Sequence, residues 1–140
     1  MEWRKLVPEL TASDFEVSLA FYTDVLGFKL CFQRQNPDFA YLELEEVQFM
    51  LEAFSEDSWR TGVLEKPYGR GINFQLELGD INPVYKRLKA NKVALFKDIR
   101  DSWYRTEEVM SGQREFLVQD PDGYLLRFSQ FLGEKPIDSL

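Results

Sequence analysis

The sequence predicts an α+β protein of a single domain built from two βαβββ modules, on the basis of three observations. Residues 1–54 contain a short alternating segment, an amphipathic helix and three further strand-like segments. A polar segment with several glycines and prolines, residues 55–71, interrupts this pattern and is predicted to be a linker. Residues 72–131 then repeat the same order, and a tail follows at 132–140. The alternative is a plain α+β sandwich whose repeat is accidental.

The elements of the first module follow from apolar periodicity and turn residues. Leu6–Ala12 alternates like a strand. Ser13 and Glu16 form a capping box for a helix that extends to Leu26, where Gly27 provides a left-handed stop. Three strands, separated by turn residues, are then predicted at Phe28–Arg34, Phe39–Leu44 and Val47–Phe54.

The second module shows the same succession of patterns. Ile72–Leu78 alternates like a strand, and Asp80 can cap a helix with Pro83 in its first turn. The apolar stripe of this helix has helical spacing and consists of Ile81, Val84, Tyr85 and Leu88. Its three closing strands are predicted at Lys92–Phe96, Arg114–Val118 and Tyr124–Phe131. The last two strands are joined by a tight turn, Asp120-Pro121-Asp122-Gly123.

Composition excludes several classes of function. The chain has no histidine and a single cysteine, Cys31, which excludes Ser/His/Asp and Cys/His catalysis, an internal disulfide and multi-cysteine metal clusters. The net charge of −7 argues against a nucleic-acid or anionic-membrane partner and favours a cationic ligand, although negative charge also serves solubility. We expect a cytoplasmic protein, because no apolar signal or membrane-spanning segment is evident.

Three segments carry a resemblance to a known family. They are Asp14–Tyr22 running on to Leu26-Gly27-Phe28, Gly79-Asp80 at the second helix, and Arg114-Glu115-Phe116 leading to Asp120–Phe128. In this order and spacing they resemble the vicinal oxygen chelate superfamily of glyoxalases, bleomycin resistance proteins and extradiol dioxygenases. The resemblance covers nearly the whole chain. It implies paired βαβββ modules whose curved mixed sheets surround a cup, which is completed in a homodimer.

The resemblance also locates the positions at which metal-dependent members hold their ion. Four ligands, mostly His and Glu, line the cup in those members. Counting from the motifs places Val7, Met50, Asn73 and Arg127 at these positions. None of the four is a good ligand for Zn, Ni, Mn or Fe. We therefore expect no metal, no other cofactor, and neither glyoxalase nor dioxygenase chemistry.

Strand alternation from these positions predicts which side chains line the cup, because residues two apart share a face. The predicted polar lining includes Glu9, Gln48, Met50, Glu52, Asn73, Gln75, Glu77 and Arg127. The intervening residues are apolar, as residues packed beneath two helices should be. Three converging glutamates favour a cationic ligand, although each one alone is consistent with a solvated sheet face.

Aromatic residues outside the predicted core form a second set of candidates. Those selected as able to stack on a planar ligand or a cation are Phe39, Tyr41, Trp103 and Tyr104. Burial in a subunit interface is an equally good interpretation of Trp103 and Tyr104, and an interfacial ligand cleft would combine the two uses.

The bleomycin-resistance branch of the superfamily fits this sequence best. The resemblance implies a metal-free dimer that sequesters a large cationic antibiotic and makes or breaks no bond. Some members carry a tryptophan just before the segment that is Arg114-Glu115-Phe116 here, where this chain has Ser111-Gly112-Gln113. Stacking on the antibiotic would then need another residue, such as Trp103.

The leading prediction is therefore a binding protein for a bleomycin-like or other cationic, partly aromatic compound, with no catalytic residue. The first alternative is a metal-free enzyme acting on a small metabolite, with Glu52 or Glu77 as base and Arg127 holding a carboxylate or an oxyanion. A paired-carboxylate hydrolase is a weaker variant of that idea, because the sequence does not define the separation of the two groups. A duplicated fold that serves only assembly is the remaining alternative.

Overall fold

The computed structural model describes residues 1–137, which form two compact units. The first comprises Met1–Arg70 together with Asp120–Tyr124, and the second comprises Gly71–Gln119 and the chain from Leu125 onward. Within the described residues each unit contains one four-stranded mixed sheet and few helical residues. The predicted α+β class is therefore confirmed.

The first sheet has its strands in the order β1-β4-β3-β2. These strands are β1 (Glu9–Ala12), β2 (Lys29–Arg34), β3 (Phe39–Leu44) and β4 (Val47–Ala53). β1 runs parallel to β4, and the other two pairs are antiparallel. One face of this sheet is apolar and buried, with Leu10, Leu42, Phe49 and Leu51 each at most 3% exposed. The opposite face carries the polar and aromatic side chains.

The first helical segment ends at Leu26 as predicted, where Gly27 has a φ of 89°, but it differs from the prediction at its N-terminus. α1 spans Phe15–Ala20 and continues as a π-helical turn, Phe21–Val25. Asp14 is its N-cap and accepts a hydrogen bond from the Val17 N–H at 3.3 Å. The capping box predicted at Ser13 is therefore wrong, because the Ser13 hydroxyl donates to Asp122 instead.

The second sheet has the equivalent strand order, β5-β8-β7-β6. Its strands are β5 (Asn73–Glu77), β6 (Lys97–Thr106), β7 (Val109–Gln119) and β8 (Leu125–Pro136). Again the pair formed by the first and last strands, β5 and β8, is parallel, and the others are antiparallel. The repeated order of one parallel and two antiparallel pairs is what a duplicated βαβββ sequence requires.

The second helix, α2 (Asn82–Ala90), covers the apolar face of the second sheet. Ile81, Val84 and Leu88 are buried, and the Tyr85 ring meets the Phe116 ring edge-on at 5.5 Å. The Asp80 carboxylate accepts from the Asn82 N–H at 2.9 Å at the start of this helix. Within residues 1–137, no helix has the length and apolar character needed to span a membrane.

The strand predicted at Lys92–Phe96 is wrong. Lys92 has a positive φ of 56°, and the Val93 N–H still bonds to the carbonyl of Leu88, so this segment completes the turn after α2. The strand begins at Lys97 and is largely exposed at the sheet edge. β7 is longer than predicted at both ends, and β8 continues to Pro136 in the segment predicted as a tail. The last part of that tail, 138–140, lies outside the described residues.

Candidate functional site

Strand register brings the predicted site residues of the first unit onto one sheet face. Met50 of β4 lies opposite Glu9 on one side and Tyr41 on the other. Glu52 of β4 likewise lies between Thr11 and Phe39. This polar face of the first sheet therefore carries Glu9, Phe39, Tyr41, Gln48, Met50 and Glu52.

One half of this polar face is covered by the N-terminal segment. Gln48 donates from Nε2 to the carbonyl of Glu2 at 2.7 Å, and its Oε1 accepts from the Arg4 N–H at 3.0 Å. The Tyr41 hydroxyl donates to the same Oε1 at 2.7 Å, and the Trp3 ring lies 5.0 Å from the Tyr41 ring. Tyr41 and Gln48 are consequently only 4% and 3% exposed. Both side chains already have partners within this unit.

Phe39 is also buried rather than presented to solvent. Its ring is 3% exposed, and the Arg34 guanidinium lies over it at 4.1 Å from the ring centroid. Phe32 lies beside it and stacks on Tyr41 at 5.3 Å. Neighbouring side chains of the first unit therefore already occupy the stacking surfaces of Phe39 and Tyr41.

The other half of the face opens into a groove of about 590 Å³. Its lining consists of Glu9, Arg34, Asn36, Pro37, Glu52, Ser55, Asp57 and Trp59. Three carboxylates therefore face a single guanidinium, which leaves this acidic groove with an excess of negative charge. Trp59 is 93% exposed, so its indole is available at the rim. Such a groove can attract a cation and offer an aromatic surface to it.

Glu9 lies within range of the negative charge of Glu52 in the acidic groove. Partial burial raises the pKa of Glu9, the charge of Glu52 raises it further, and Arg34 lowers it. The loop after β4 restrains the Glu52 side chain. The Ser58 hydroxyl donates to Glu52 Oε1 at 3.3 Å and accepts from the Ser55 N–H at 3.0 Å. A bound cation would relieve the repulsion between the two carboxylates.

Sequence reasoning missed part of the acidic groove. Asp57 and Trp59 lie in the segment predicted to be a linker, and Arg34 lies at the end of β2. The available signal was the isolated tryptophan in an otherwise polar loop, since a large aromatic residue there has no core to fill. Strand alternation could not have placed any of these residues beside Glu9.

The polar face of the second sheet carries the remaining predicted residues except Trp103. Asn73, Gln75 and Glu77 are exposed on β5, where Gln75 lies opposite Arg127 of β8. Arg127 donates from Nε to Oε2 of Glu115 at 2.6 Å, and the Tyr104 hydroxyl donates to the other oxygen of the same carboxylate. Glu115, which is only 5% exposed, thus joins two predicted site residues although it was not itself predicted.

Trp103 lies on the opposite face of β6 from its neighbour Tyr104, because successive strand residues point to opposite sides. Its ring covers Gly112, where an added Cβ would lie 2.6 Å from the indole. Lys135 places its ammonium 3.8 Å from the ring centroid. The two aromatics therefore do not form one stacking surface.

The four positions that the resemblance predicts to correspond to metal ligands do not supply a suitable donor set. Val7, Met50 and Asn73 provide no carboxylate or imidazole, and Arg127 brings a positive charge that Glu115 holds in an ion pair. Among residues 1–137 there is also no group of three or more His, Cys, Asp or Glu side chains arranged to hold a metal. The residues at these positions do not fit a divalent metal.

Two units of equivalent strand order, each with its first and last strands parallel, define the class of duplicated βαβββ proteins. The sequence profile of the Glyoxalase/Bleomycin resistance protein/Dioxygenase superfamily matches residues 6–128. The chain belongs to this superfamily, as the sequence motifs predicted.

One curated relative and two solved structures are similar to this chain, and the two structures share its fold. A bleomycin resistance protein of Geobacillus stearothermophilus is 28% identical over 133 residues, which cover 89% of this chain and 94% of the relative. The structure of TioX from Micromonospora sp. ML1 shares the fold with a TM-score of 0.71 at 19% identity, covering 93% of this chain and 100% of the other. A glyoxalase/bleomycin resistance protein/dioxygenase from Alicyclobacillus acidocaldarius gives 0.63 at 23% identity, with 91% of both chains covered.

Proposed function

We propose that this protein is a metal-independent, cytoplasmic homodimer that sequesters a bleomycin-like cationic antibiotic, or a related cationic small molecule, without making or breaking a bond. The acidic groove is the observation that carries the proposal, because Glu9, Glu52 and Asp57 outnumber Arg34 beside the exposed Trp59. The 28% identical relative named a bleomycin resistance protein supports the choice of ligand class.

The physical basis for affinity is electrostatic attraction combined with aromatic contact. Positive charge on the ligand would be drawn to the excess of carboxylates and would offset the repulsion between Glu9 and Glu52. A planar group of the ligand would cover Trp59, whose indole is otherwise in water. In this proposal Met50 lies beside Glu9 on the same sheet face, and the covered residues Phe39, Tyr41 and Gln48 complete that face.

Within the second unit, we propose that the polar face of the second sheet offers hydrogen-bonding groups to a ligand. Those residues are Asn73, Gln75, Glu77, Tyr104 and Arg127, and Trp103 belongs to the opposite face of the same sheet. No observation favours the alternative of a metal-free enzyme. Glu77 is exposed, and Arg127 is bound to Glu115 and so is poorly suited to hold a carboxylate.

A calorimetric titration with metal-free and copper-bound bleomycin tests the proposal. The wild-type protein should bind at micromolar concentration, and the Glu9→Gln and Glu52→Gln variants should each bind about tenfold more weakly. Glu16→Gln is the matched control, since it removes one exposed carboxylate of the first unit that does not line the acidic groove.

Four outcomes would contradict the proposal. Absence of binding by the wild-type protein would overturn the antibiotic as ligand, and an equal loss in Glu16→Gln would show that only net charge matters. Stoichiometric Zn or Ni in the purified protein would overturn metal independence. Sedimentation of the wild-type protein as a monomer would overturn the homodimer.

A further inference from the structure

The ion pair between Arg127 and Glu115 leaves most of the guanidinium without a protein partner. Only Nε of Arg127 bonds to Glu115, at 2.6 Å. Of the five N–H donors of an arginine, four therefore remain. Within residues 1–137 the two terminal amino groups make no hydrogen bond, and the side chain is 30% exposed.

Glu115 is itself firmly held. Its side chain is 6% exposed, its second carboxylate oxygen accepts from the Tyr104 hydroxyl, and its backbone lies within β7. The Tyr104 ring also lies 5.9 Å from the centre of the Arg127 guanidinium. The Glu115 carboxylate and the Tyr104 ring thus hold the Arg127 guanidinium in a defined position on the polar face of the second sheet. Its remaining N–H donors are therefore available at a fixed place on that face.

We propose that Glu115 is a positioning residue that converts Arg127 into a hydrogen-bond donor of no net charge, so that this face selects uncharged carbonyl oxygens of amides over carboxylates. The charge of the carboxylate cancels that of the guanidinium at short range, whereas the remaining N–H groups keep their geometry. An incoming carboxylate would be repelled by the like charges of Glu115 and Glu77, whereas an amide oxygen carries no net charge and can accept from the remaining Arg127 N–H groups without that repulsion.

This inference rests on the proposed function and names a chemical feature of its ligand. A cationic ligand rich in amide groups would place carbonyl oxygens on the second sheet, where an unpaired arginine would repel its positive charge. It also opposes the enzyme alternative, in which Arg127 would hold a carboxylate or an oxyanion.

Two probes that differ in a single group test the inference: N-acetylglycinamide, an uncharged amide, and N-acetylglycine, the corresponding carboxylate. The readout is the NMR signal of the Arg127 Nε–H in labelled protein at pH 7. In the wild-type protein the amide should shift this signal saturably and the carboxylate should bind more weakly. In Glu115→Gln the order should reverse, with the carboxylate binding about tenfold more tightly than it binds the wild-type protein.

Asp101→Asn is the matched control, because Asp101 likewise holds an arginine of the second unit, Arg114, through bonds of 2.8 and 3.1 Å. In Asp101→Asn, both probes should bind at Arg127 with the same affinities as in the wild-type protein. Tighter binding of the carboxylate than of the amide to the wild-type protein, or no shift with either probe, would overturn the inference. So would the same reversal in Asp101→Asn.

The wild-type comparison stands even where Glu115→Gln does not fold. Failure of the proposed function is separately visible, because bleomycin binding depends on the acidic groove and these probes report on Arg127 alone.

Discussion

The Tyr22 hydroxyl donates a hydrogen bond to Oδ2 of Asp120 at 2.8 Å, joining residues that are 98 positions apart in the sequence. Both side chains are buried, with Tyr22 0% and Asp120 5% exposed. The other carboxylate oxygen accepts from the backbone N–H groups of Asp122 and Tyr124 at 2.9 and 3.0 Å. These hydrogen bonds hold the turn Asp120–Tyr124 in place within the first unit.

Burial raises the pKa of Asp120 from 3.8 to about 6, against the lowering effect of its hydrogen bonds. The folded protein therefore holds this proton more tightly than the unfolded chain does. Its contribution to stability is complete below about pH 4 and is lost as the pH rises to about 6. The free energy of unfolding of the wild-type protein, relative to that of Asp120→Asn, should fall by about 2 kcal/mol between pH 4 and pH 7.

Urea unfolding of both proteins at several pH values between 4 and 7 measures this difference. Asp98 and Asp101, whose pKa values are lowered by hydrogen bonds from Tyr85 and Arg114 respectively, oppose the trend. They are present in both proteins, so their effects cancel in the comparison. A difference that does not change with pH would contradict the prediction.

Replacement of Tyr22 by Phe should remove the donor to the buried carboxylate of Asp120. We expect a loss of about 1–3 kcal/mol of unfolding free energy at pH 7, because the charged group would be left without one of its partners. Tyr85→Phe is the matched control, since the Tyr85 hydroxyl donates at 2.7 Å to Asp98, which is exposed. Its cost should be about 0.5 kcal/mol. Equal losses in the two variants would show that burial of the bond is irrelevant.

Gly123 should not tolerate a side chain. It has a φ of 101°, and an added Cβ would lie 2.5 Å from Cβ and 2.6 Å from Cα of Pro67. Because backbone atoms cannot move aside cheaply, Gly123→Ala should destabilise the protein by about 2–4 kcal/mol. Gly62→Ala meets nothing within 4 Å and should change the thermal midpoint little. A small effect at both positions would contradict the close approach of the turn to Pro67.

Trp59 should report on the proposed ligand. Of the three tryptophans in the sequence, it is 93% exposed and lines the acidic groove. Bleomycin should therefore quench part of the tryptophan emission of the wild-type protein, and Trp59→Phe should lose that change. Trp3→Phe should retain it, because Trp3 packs on Phe32 and Tyr41. The prediction fails where Trp3→Phe, and not Trp59→Phe, abolishes the change.

The binding of the same antibiotic should also depend on pH through Glu9. Since the pKa of Glu9 is raised, a larger fraction of its carboxyl is uncharged in mildly acidic solution. Affinity for a cation should fall as the pH is lowered through that raised value, and it should fall less in Glu9→Gln. Calorimetry across pH 4 to 7 measures the two profiles, and parallel profiles would exclude Glu9 as the responsible group.

Local patterns were sufficient for most of the fold. Alternation in Leu6–Ala12 and Ile72–Leu78 predicted the parallel strands β1 and β5, because one face of each is buried. The same reasoning failed at β6, since an exposed edge strand such as Lys97–Thr106 has no buried face to impose alternation. The segment Lys92–Phe96 instead forms the turn that follows α2.

The amino-acid sequence by itself determined the α+β class and the duplicated strand order. These properties depend on residue type, periodicity and turns, all of which are local.

Tertiary structure decided which side chains remain accessible to a ligand. Trp3 and Arg34 cover Tyr41 and Phe39, while Asp57 and Trp59 join Glu9 at the acidic groove. The Glu115–Arg127 pair likewise depends on the register of β7 against β8. Register and long-range approach are set by the packing of the whole unit, and no local pattern encodes them.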